Sequence, residues 1–555
     1  MSLPAFSTQA ELFSTAGLST SLFPESDRYR LFAKWVYPHL ARARAPLEGC
    51  SCADHGRVAI EPVLLLGVSI LQDLDGVPDR QAVDLLRYPA GWNFALNRQW
   101  GDPVFHPTSL VNFRSRLEEH QPIALGFTTI LAALEEAGWV SRQSRPRLDS
   151  TQMFGRVARM SRLDCVRESL RLALQELEGT VPAETRPILG SPWWERYVES
   201  QADYRASTET LARKMVQAGA DAQPLLGWRQ SQAQSEWAQG PQAQLLARVF
   251  GEEFEVVAGA GAPVPKTPEQ LSSARVQNPH EPEATYAVKG QGQHQKEQVG
   301  YKVQVAETVS EVRLAPGEPT QNFITGIVTH PAYESAEAGA VKREAEQAVM
   351  GLEKPPVQYV DAAYISTQQL VQAQAEGREL MGPAPAAPHK AGRFAVEDFQ
   401  INVEEHPALC PAGKENTQGS RLEEAATGKV SYRFEFSTHG YDCPLRDQCL
   451  GQDQRHRTVV VGEHHTVLQA RRREQRTDAF KERMKHRNGI EGTQSERVRA
   501  HGLRRARYRG LARTKLRNYF IGAACNVKRW LRREAWKLQP ALSLDMAQLA
   551  SATAH

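Results

Sequence analysis

The sequence predicts a mixed α/β fold, and the prediction depends on three patterns. VGYKVQVAETV, from Val299 to Val309, alternates apolar and polar residues with a period of two, as a half-buried strand does. QNFITGIVTH follows after a turn-forming stretch, so these two segments predict a hairpin. Helix and strand patterns then alternate, in the order SAEAGAVKREAEQAVMG (helix), VQYVDAAYIS (strand), TQQLVQAQAEG (helix) and RELMGPAP (strand).

Two acids stand in short strand-like segments of this pattern. RPRLDSTQM, from Arg145 to Met153, reads as a strand that ends at Asp149, and VQYVDAAYIS contains Asp361. Capping of a following helix is the alternative role for Asp149. If the fold brings the two acids side by side, their hard oxygens suit a divalent cation such as Mg²⁺.

Helical segments precede and interrupt the predicted sheet. Residues 1 to about 140 read as helices, because EPVLLLGVSILQDL fills an apolar helical face and HPTSLVNFRSRLEEHQ starts at Pro107-Thr108. Residues 156–284 are helical and polar, with a Gly/Pro-rich linker at 259–270. We therefore expect a small helical domain before the sheet and a long helical interruption within it.

Length and composition limit the class of protein. A chain of 555 residues with 41% apolar residues is globular and exceeds one core, so we expect about two to four domains. No apolar run approaches the roughly 18 residues of a membrane span, and the N-terminus lacks the basic region of an export signal. Seven scattered cysteines favour a reducing compartment over a disulfide framework. These features predict a cytoplasmic protein with no membrane partner.

The charge is strongly segregated along the chain. Between Arg471 and Arg533 there are 21 Lys/Arg and 5 Asp/Glu, a balance of +16, so a total of +3 leaves −13 for the remainder. So dense a block predicts a polyanionic partner, and a solvated basic helix face is the alternative. Glu491 is an isolated acid in this block, one helical turn after Arg487, and a surface salt bridge between them would contribute little.

Taken together, these segments resemble the motifs of bacterial insertion-sequence DDE transposases, in particular the insertion-sequence eleven-eighty-two family. The resemblance covers most of the chain and rests on HPTSLVNFRSRL, LDST, NPHEPEATYAVKG, GYKVQVAET, VDAAYIS, CPAGK and RNGIEGTQSERVRAHGLRRARYRGLARTKL. The C-terminal motif is the most specific, because Arg, Glu, Gly, Ser and GLRRARYRG occur in it together and in order.

The resemblance implies a ribonuclease-H-like mixed-sheet catalytic core formed by residues 141–155, 285–385 and 475–540. It also implies an all-helical N-terminal domain (1–140) for DNA-end binding or dimerisation, a helical insertion (156–284) and a cysteine-bearing insertion (386–474). By motif, Asp149, Asp361 and Glu491 are the catalytic acids and bind two Mg²⁺ ions, for which Mn²⁺ can substitute. The implied partners are double-stranded DNA, both transposon ends and target, and further copies of the chain in a homodimer or higher oligomer on the DNA, in the bacterial cytoplasm at the nucleoid.

The implied reaction is cleavage of transposon ends by phosphodiester hydrolysis, followed by joining of the freed 3′ hydroxyl to target DNA. One metal activates water and the other stabilises the leaving 3′ oxygen. Two alternatives stay open: a catalytically silent, transposase-derived DNA-binding protein, which the retention of all three acids disfavours, and a metal-dependent nuclease that cuts without joining.

Phosphate contacts are implied less clearly, because related sequences often have Tyr seven residues before the glutamate and Lys seven after it. Those positions are Met484 and Val498 here, whereas Arg487, four before the glutamate, fits. Arg497 and Arg499, or Lys515, would then supply the missing cation. The expected DNA-contacting residues are Arg487, Arg497, Arg499, Arg504, Arg505, Arg507, Arg509 and Lys515.

The cysteines at 410, 443 and 449 suggest a second metal site. Cys410, Cys443 and Cys449, with His439 or His406 as a fourth ligand, are of the right type for zinc, but no paired C-x-x-C is present. Related sequences often have a further cysteine where this chain has Gly440. We favour buried free thiols over zinc.

Overall fold

The computed structural model describes the following residues: 22–50, 59–88, 90–99, 101–141, 145–180, 192–200, 206–256, 261–290, 295–310, 314, 316–349, 354–386, 392–403, 408–416, 419–424, 428–437, 443–451 and 454–552. Their α-helices are α1 (Arg28–Trp35), α2 (Tyr37–Leu40), α3 (Arg44–Glu48), α4 (Pro62–Asp75), α5 (Asp79–Arg87), α6 (Ala90–Ala95), α7 (Thr108–Glu119), α8 (Leu125–Glu136), α9 (Arg162–Thr180), α10 (Thr208–Ser231), α11 (Glu236–Gln239), α12 (Pro241–Glu253), α13 (Ala336–Val349), α14 (Thr367–Ala375), α15 (Arg446–Cys449), α16 (His465–Glu474), α17 (Asp478–Asn488), α18 (Ile490–Ala500) and α19 (Leu511–Ala552).

The strands are β1 (Arg147–Phe154), β2 (Phe254–Glu255), β3 (Val264–Pro265), β4 (Thr285–Lys289), β5 (Lys296–Glu307), β6 (Ile324–Pro331), β7 (Val357–Tyr359), β8 (Glu379–Met381), β9 (Gln400–Ile401), β10 (Ala408–Leu409), β11 (Glu415–Asn416), β12 (Ser420–Glu424), β13 (Lys429–Ser437) and β14 (His456–Gly462). Single turns add 3-10 helices at Ala41–Ala43, Pro268–Gln270, Ala362–Tyr364 and Val396–Asp398, and a π-helix at Glu195–Glu199.

A six-stranded mixed sheet forms the centre of the fold. β1 pairs antiparallel with β5 along its whole length, whereas β1, β7 and β8 pair in parallel. On the side away from β1, β5 pairs antiparallel with two strands in turn. Residues 296–300 pair with β4, and residues 301–307 pair with β6. Read through β6, the strand order is β6-β5-β1-β7-β8.

Helices cover both faces of this sheet. Because side chains alternate along β5, Val303 and Val305 join a core with the N-terminal helices and α19, whereas Ala306 joins a smaller core beneath α13 and α14. A sheet with parallel strands needs this double cover, since both of its faces are apolar.

The N-terminal helices share the large core with the sheet. α19 contacts α4, α8 and β6, so that Trp530 of α19, Phe127 of α8 and Val303 of β5 belong to one buried cluster. The described part of residues 1–140 is therefore helical. It shares one core with the sheet, because α19 packs against both.

Two other regions have cores of their own. The described residues between 160 and 276 form a helical core around Trp237, whose indole N–H donates to the carbonyl of Ala173 at 3.0 Å. The region after residue 393 contains two small sheets, β9-β10-β11 and β12-β13-β14, whose buried side chains include Phe399, Phe434 and Val459.

The segment NPHEPEATYAVKG connects these parts. The fully buried carboxylate of Glu281 accepts the N–H groups of Arg156 and Val157 and the hydroxyl of Tyr301, which fastens the exit of β1 to β5. Glu283 accepts the N–H of Leu511, the first residue of α19. The acids of this motif are thus accounted for by the fold.

The predicted mixed α/β class and the predicted hairpin, now β5 and β6, are confirmed. The prediction that the first strand ends at Asp149 is wrong. β1 continues to Phe154 because β5 supplies an antiparallel partner for every one of its residues. The parallel pairing of β1 with β7, by contrast, does end near Asp149.

Candidate active site

Strand register brings Asp149 and Asp361 together. β1 and β7 are parallel, with Arg147 opposite Tyr359, and each aspartate lies two residues beyond this pair. Equal offsets along parallel strands place two side chains side by side on the same face. The two acids therefore lie close together although 211 residues separate them in the sequence. Both contact the same atom, Arg487 Nη2, which lies 3.3 Å from Asp149 Oδ1 and 3.4 Å from Asp361 Oδ2.

The two carboxylates have different surroundings. Asp361 caps the 3-10 helix Ala362–Tyr364, since its Oδ1 accepts the N–H of Ala363 at 2.9 Å. Asp149 does not begin a helix, so the capping role considered for it belongs to Asp361 instead. Burial raises the pKa of Asp149 and the nearby Asp361 adds to this rise, whereas the Ser150 N–H and the Arg487 guanidinium lower it. A half-buried carboxylate beside a second one is a site that a cation stabilises.

α17 is fixed firmly to the sheet next to these acids. The Arg147 guanidinium donates to the carbonyl of His486 at 3.0 Å, and Arg483 makes two hydrogen bonds with Glu379 of β8 at 2.8 and 2.6 Å. Gly489, between α17 and α18, is required here because a Cβ at this position would collide with the Arg147 guanidinium. The backbone of Arg487 is thus held in place while its side chain reaches the two acids.

Glu491 lies in the first turn of α18, which begins two residues after helix α17 ends. Ile490, Thr493 and Arg497 form the buried face of α18, and Glu491 is exposed, with no hydrogen bond or ion pair to any residue that the structure describes. The ligand oxygens of the three acids do not all lie within 4.8 Å of one another. The structure therefore brings two of the three predicted acids into direct proximity and places the third at the neighbouring helix start.

A buried charge network holds α18 against the sheet. Glu307, at the end of β5, is 1% exposed and accepts hydrogen bonds from Arg147 at 2.7 Å, from Thr493 and from Arg529. Sequence reasoning did not identify Glu307, because its partners lie 160 to 222 residues away. One signal for Glu307 was present in the sequence, since it is the one acid of the strand segment VGYKVQVAE.

The two positions that depart from the family pattern belong to the core. Met484 packs beside Tyr359 and Phe480 under β7 and β8, and Val498 packs against the large core. Neither site is placed to contact a phosphate.

The basic block separates into buried and exposed cations. Arg472, Arg529 and Arg533 are at most 9% exposed and are paired with acids, as are the partly exposed Arg483 and Arg517. Much of the +16 balance is thus neutralised by acids from distant segments. Of the predicted DNA-contacting residues, four are exposed, and we call them the four exposed arginines: Arg499, Arg504, Arg505 and Arg509.

The other predicted DNA-contacting residues lie elsewhere. The prediction that Arg497 contacts DNA is wrong, because its side chain is 0% exposed and cannot reach DNA. The same burial lowers the pKa of Arg497 to about 10. Arg507 is half-buried over the ring of Tyr508 and 3.9 Å from Asp79, and Lys515 is half-buried in α19. Arg504 and Arg505 run beside the end of β1, where Phe154 pairs with Arg505. Two of the four exposed arginines, Arg504 and Arg505, therefore lie beside the end of the strand that carries Asp149.

Cys410, Cys443 and Cys449 are free and half-buried. Burial raises the pKa of Cys449, Arg457 lowers it, and Cys410 and Cys443 add smaller contributions that raise it. The N–H of Lys414 donates to Cys410 Sγ at 3.3 Å, and Cys410 and Cys449 border the core of this region. Their sulfurs are not a set within 4.8 Å of one another, and His406, His439 and Gly440 lie outside the described residues.

A different group, Glu496, His501 and Cys525, does meet that distance among the described residues. Both oxygens of Glu496 are already engaged, by Lys528 at 2.7 Å and Arg529 at 3.1 Å. A divalent ion there would face those cations and the buried Arg497. This group is better explained as the buried contact between α18 and α19 than as a metal centre.

Comparison with known families agrees with this geometry. Residues 409–531 match the family model described as "Transposase DDE domain", and residues 19–116 match "Transposase domain (DUF772)". Both matched models are transposase domains, and together they indicate an insertion-sequence DDE transposase. Assignment to the insertion-sequence eleven-eighty-two family is consistent with this pair of matches. Searches of curated proteins and of solved structures found no match.

The two matches cover different parts of the transposase. The DDE match contains Arg487, Glu491 and the four exposed arginines, whereas Asp149 and Asp361 lie outside both matched ranges. Their assignment depends on the motifs and on the register of β1 and β7. No helix described in the transposase is long and apolar enough to cross a membrane.

Proposed function

We propose that the transposase cleaves DNA at transposon ends and joins the freed 3′ ends to target DNA, with Asp149, Asp361 and Glu491 as its catalytic acids. The observation that carries the proposal is the convergence of Asp149 and Asp361 on a single cationic group, Arg487. Two carboxylates held side by side by strand register are the hard oxygen donors that Mg²⁺ or Mn²⁺ prefers.

The topology supports a ribonuclease-H-like core for this site. Three antiparallel strands followed by two parallel ones, in the order β6-β5-β1-β7-β8, are the arrangement expected of that fold, with the acids on β1 and just after β7. The helical region 156–284 and the cysteine-bearing region 386–474 leave and rejoin this order as the proposed insertions.

The donor set fits a divalent ion. The Arg487 guanidinium stands where positive charge is needed, and Asp361 Oδ2 and Asp149 Oδ1 both point to it. When bound, two metal ions would supply water activation and stabilisation of the leaving 3′ oxygen. Glu491 is exposed at the start of α18, so its carboxylate is free to complete the ligand set.

The four exposed arginines would hold the DNA backbone beside this site. Contacts to phosphate position a duplex without reading its sequence, which suits an enzyme that must accept both its own ends and varied target DNA. The helical N-terminal region is proposed for end recognition or dimerisation. Assembly as a homodimer or higher oligomer on DNA, in the cytoplasm, stays a prediction.

Substitution of each acid tests the proposal. Asp149→Asn, Asp361→Asn and Glu491→Gln should each abolish Mg²⁺-dependent cleavage of end-containing duplex, while binding to that duplex persists because the arginines are unchanged. Asp164→Asn is the matched control, since Asp164 is a half-buried acid at the start of α9 whose carboxylate accepts a hydrogen bond from Ser161, and this variant should cleave normally. Full cleavage by Glu491→Gln would show that the third acid is misplaced.

A joining assay separates the alternatives. Transfer of a pre-cleaved 3′ end into plasmid DNA is expected of a transposase, whereas a nuclease would cleave without transfer and a silent DNA-binding protein would do neither.

A further inference from the structure

The contact between Arg487 and the two aspartates differs from the structural ion pairs of the same region. Arg487 Nη2 lies 3.3 and 3.4 Å from its two carboxylate oxygens, whereas Arg147 and Glu307 are joined at 2.6 and 2.7 Å. Charge-assisted hydrogen bonds are normally about 2.7–2.9 Å long, so Arg487 is held by its charge more than by good hydrogen bonds. Its Nε is buried and has no hydrogen-bond partner among the described residues, which leaves this side chain incompletely satisfied.

The oxygens that Arg487 uses are the ones that a metal ion needs. Asp361 Oδ1 already accepts the N–H of Ala363, and Arg487 contacts the other oxygen, Oδ2, so each oxygen of this carboxylate has a partner. Arg487 also occupies Oδ1 of Asp149. A divalent ion and a guanidinium carry charge of the same sign and cannot share two oxygens at close range without strong repulsion.

We infer that Arg487 is a displaceable counter-ion, which neutralises Asp149 and Asp361 in the metal-free transposase and must leave them when a divalent ion binds. This inference rests on the proposed function, because it assumes that the two aspartates are metal ligands. The helix that carries Arg487 is fixed by Arg483 and Arg147, so the exchange is a movement of one side chain. Once displaced, the guanidinium is a free cation at the edge of the site, where a DNA phosphate can receive it.

The inference makes Arg487 a competitor of the metal before it is a partner of DNA. Removing its charge should therefore improve metal binding by the DNA-free protein, even though it impairs DNA cleavage. A purely structural arginine predicts the reverse, because its loss would disorder the site and weaken both.

Mn²⁺ binding to DNA-free protein, measured by electron paramagnetic resonance, tests this competition. Arg487→Gln should bind Mn²⁺ about tenfold more tightly than the parent, since one adjacent opposite charge commonly shifts a carboxylate equilibrium by about one logarithmic unit or more. Arg487→Lys retains the charge and should show a smaller gain. The melting temperature of Arg487→Gln should be lower than that of the parent without metal, and Mn²⁺ should raise it by more than it raises the parent's.

Lys481→Gln is the matched control, because Lys481 is an exposed cation on the same helix and pairs only locally, with the exposed Asp478, outside the site. It should leave Mn²⁺ affinity unchanged. Unchanged or weaker Mn²⁺ binding by Arg487→Gln would overturn the inference, provided that Asp149→Asn and Asp361→Asn lose Mn²⁺. If those two variants bind Mn²⁺ like the parent, the proposed metal site itself is wrong, and the inference falls with it.

Discussion

Glu307 is the acid whose loss should destabilise this transposase most clearly. Its carboxylate is 1% exposed, and the two guanidiniums that it joins, Arg147 and Arg529, are 8% and 5% exposed at the side chain. Glu307→Gln preserves the shape of the side chain but removes the charge, so Arg147 loses its ion pair and Arg529 keeps only Glu496. Breaking a buried pair in this way costs about 3–5 kcal/mol, because a desolvated charge is left uncompensated.

That magnitude is measurable by thermal or urea unfolding followed by circular dichroism. At about 2–4 °C per kcal/mol for a domain of about 150–250 residues, the melting temperature should fall by about 6–20 °C. The matched control is Glu423→Gln, whose partner Arg421 forms an ion pair with both side chains more than half exposed. An exposed pair contributes about 0–1 kcal/mol, so this variant should unfold almost like the parent.

Equal, small shifts for the two variants would refute the reasoning. Such a result would mean that the Glu307 network is hydrated or that its cations find other partners. The same variant should also reduce cleavage, because Thr493 and Arg529 connect Glu307 to the helix that carries Glu491.

The remaining predictions concern DNA, zinc and pH. Alanine at all four exposed arginines should weaken duplex binding and flatten its salt dependence, by about 0.9 in the logarithmic slope for each phosphate that the protein no longer neutralises, whereas Arg421→Ala should not; salt-dependent affinities by fluorescence anisotropy measure this. If the three cysteines at 410, 443 and 449 bind zinc, metal analysis should find about one equivalent per chain, and chelation should loosen residues 386–474 alone; absence of zinc would support free thiols. Burial lowers the pKa of both His330 and His465 to about 4, so each takes up a proton on unfolding between its ordinary pKa of 6.5 and about 4. The contribution of these histidines to the free energy of unfolding is complete above pH 6.5. It is lost as the pH falls toward 4, by up to about 1.4 kcal/mol per pH unit for each histidine. Replacing both with Gln should therefore reduce the pH dependence of the free energy of unfolding measured by urea titration.

Local periodicity predicted much of the sheet. β5 and β6 were readable from alternation and a turn, and the short strands around Asp361 and Met381 from apolar runs bounded by turn residues. The length of β1 was not readable, because it depends on β5, which pairs with it from about 150 residues away. Pairing across such a distance supplies the hydrogen bonds that keep residues 150–154 extended, and no local pattern records it.

The acids of the candidate site were identified from motifs, and the structure added the reason for their proximity. Sequence alone indicated that Asp149 and Asp361 lie in or beside strands, whereas the offset of two residues from the Arg147–Tyr359 pair is a property of the parallel register. The role of Arg487 toward both acids also required three distant segments to meet. A salt bridge from Arg487 to Glu491, the simple local alternative, does not form among the described residues.

By itself, then, the sequence determined the mixed α/β class, the family and the identity of the candidate acids, because these depend on residue type and short-range order. Only the tertiary structure decided which arginines of the basic block remain available to DNA. Arg497 and Arg505 lie eight residues apart in one basic run, yet the first is 0% exposed and the second is exposed. Arg529 and Arg533 are buried as well, because the fold brings Glu307 and Glu318 to them from more than 200 residues away, which no local pattern records.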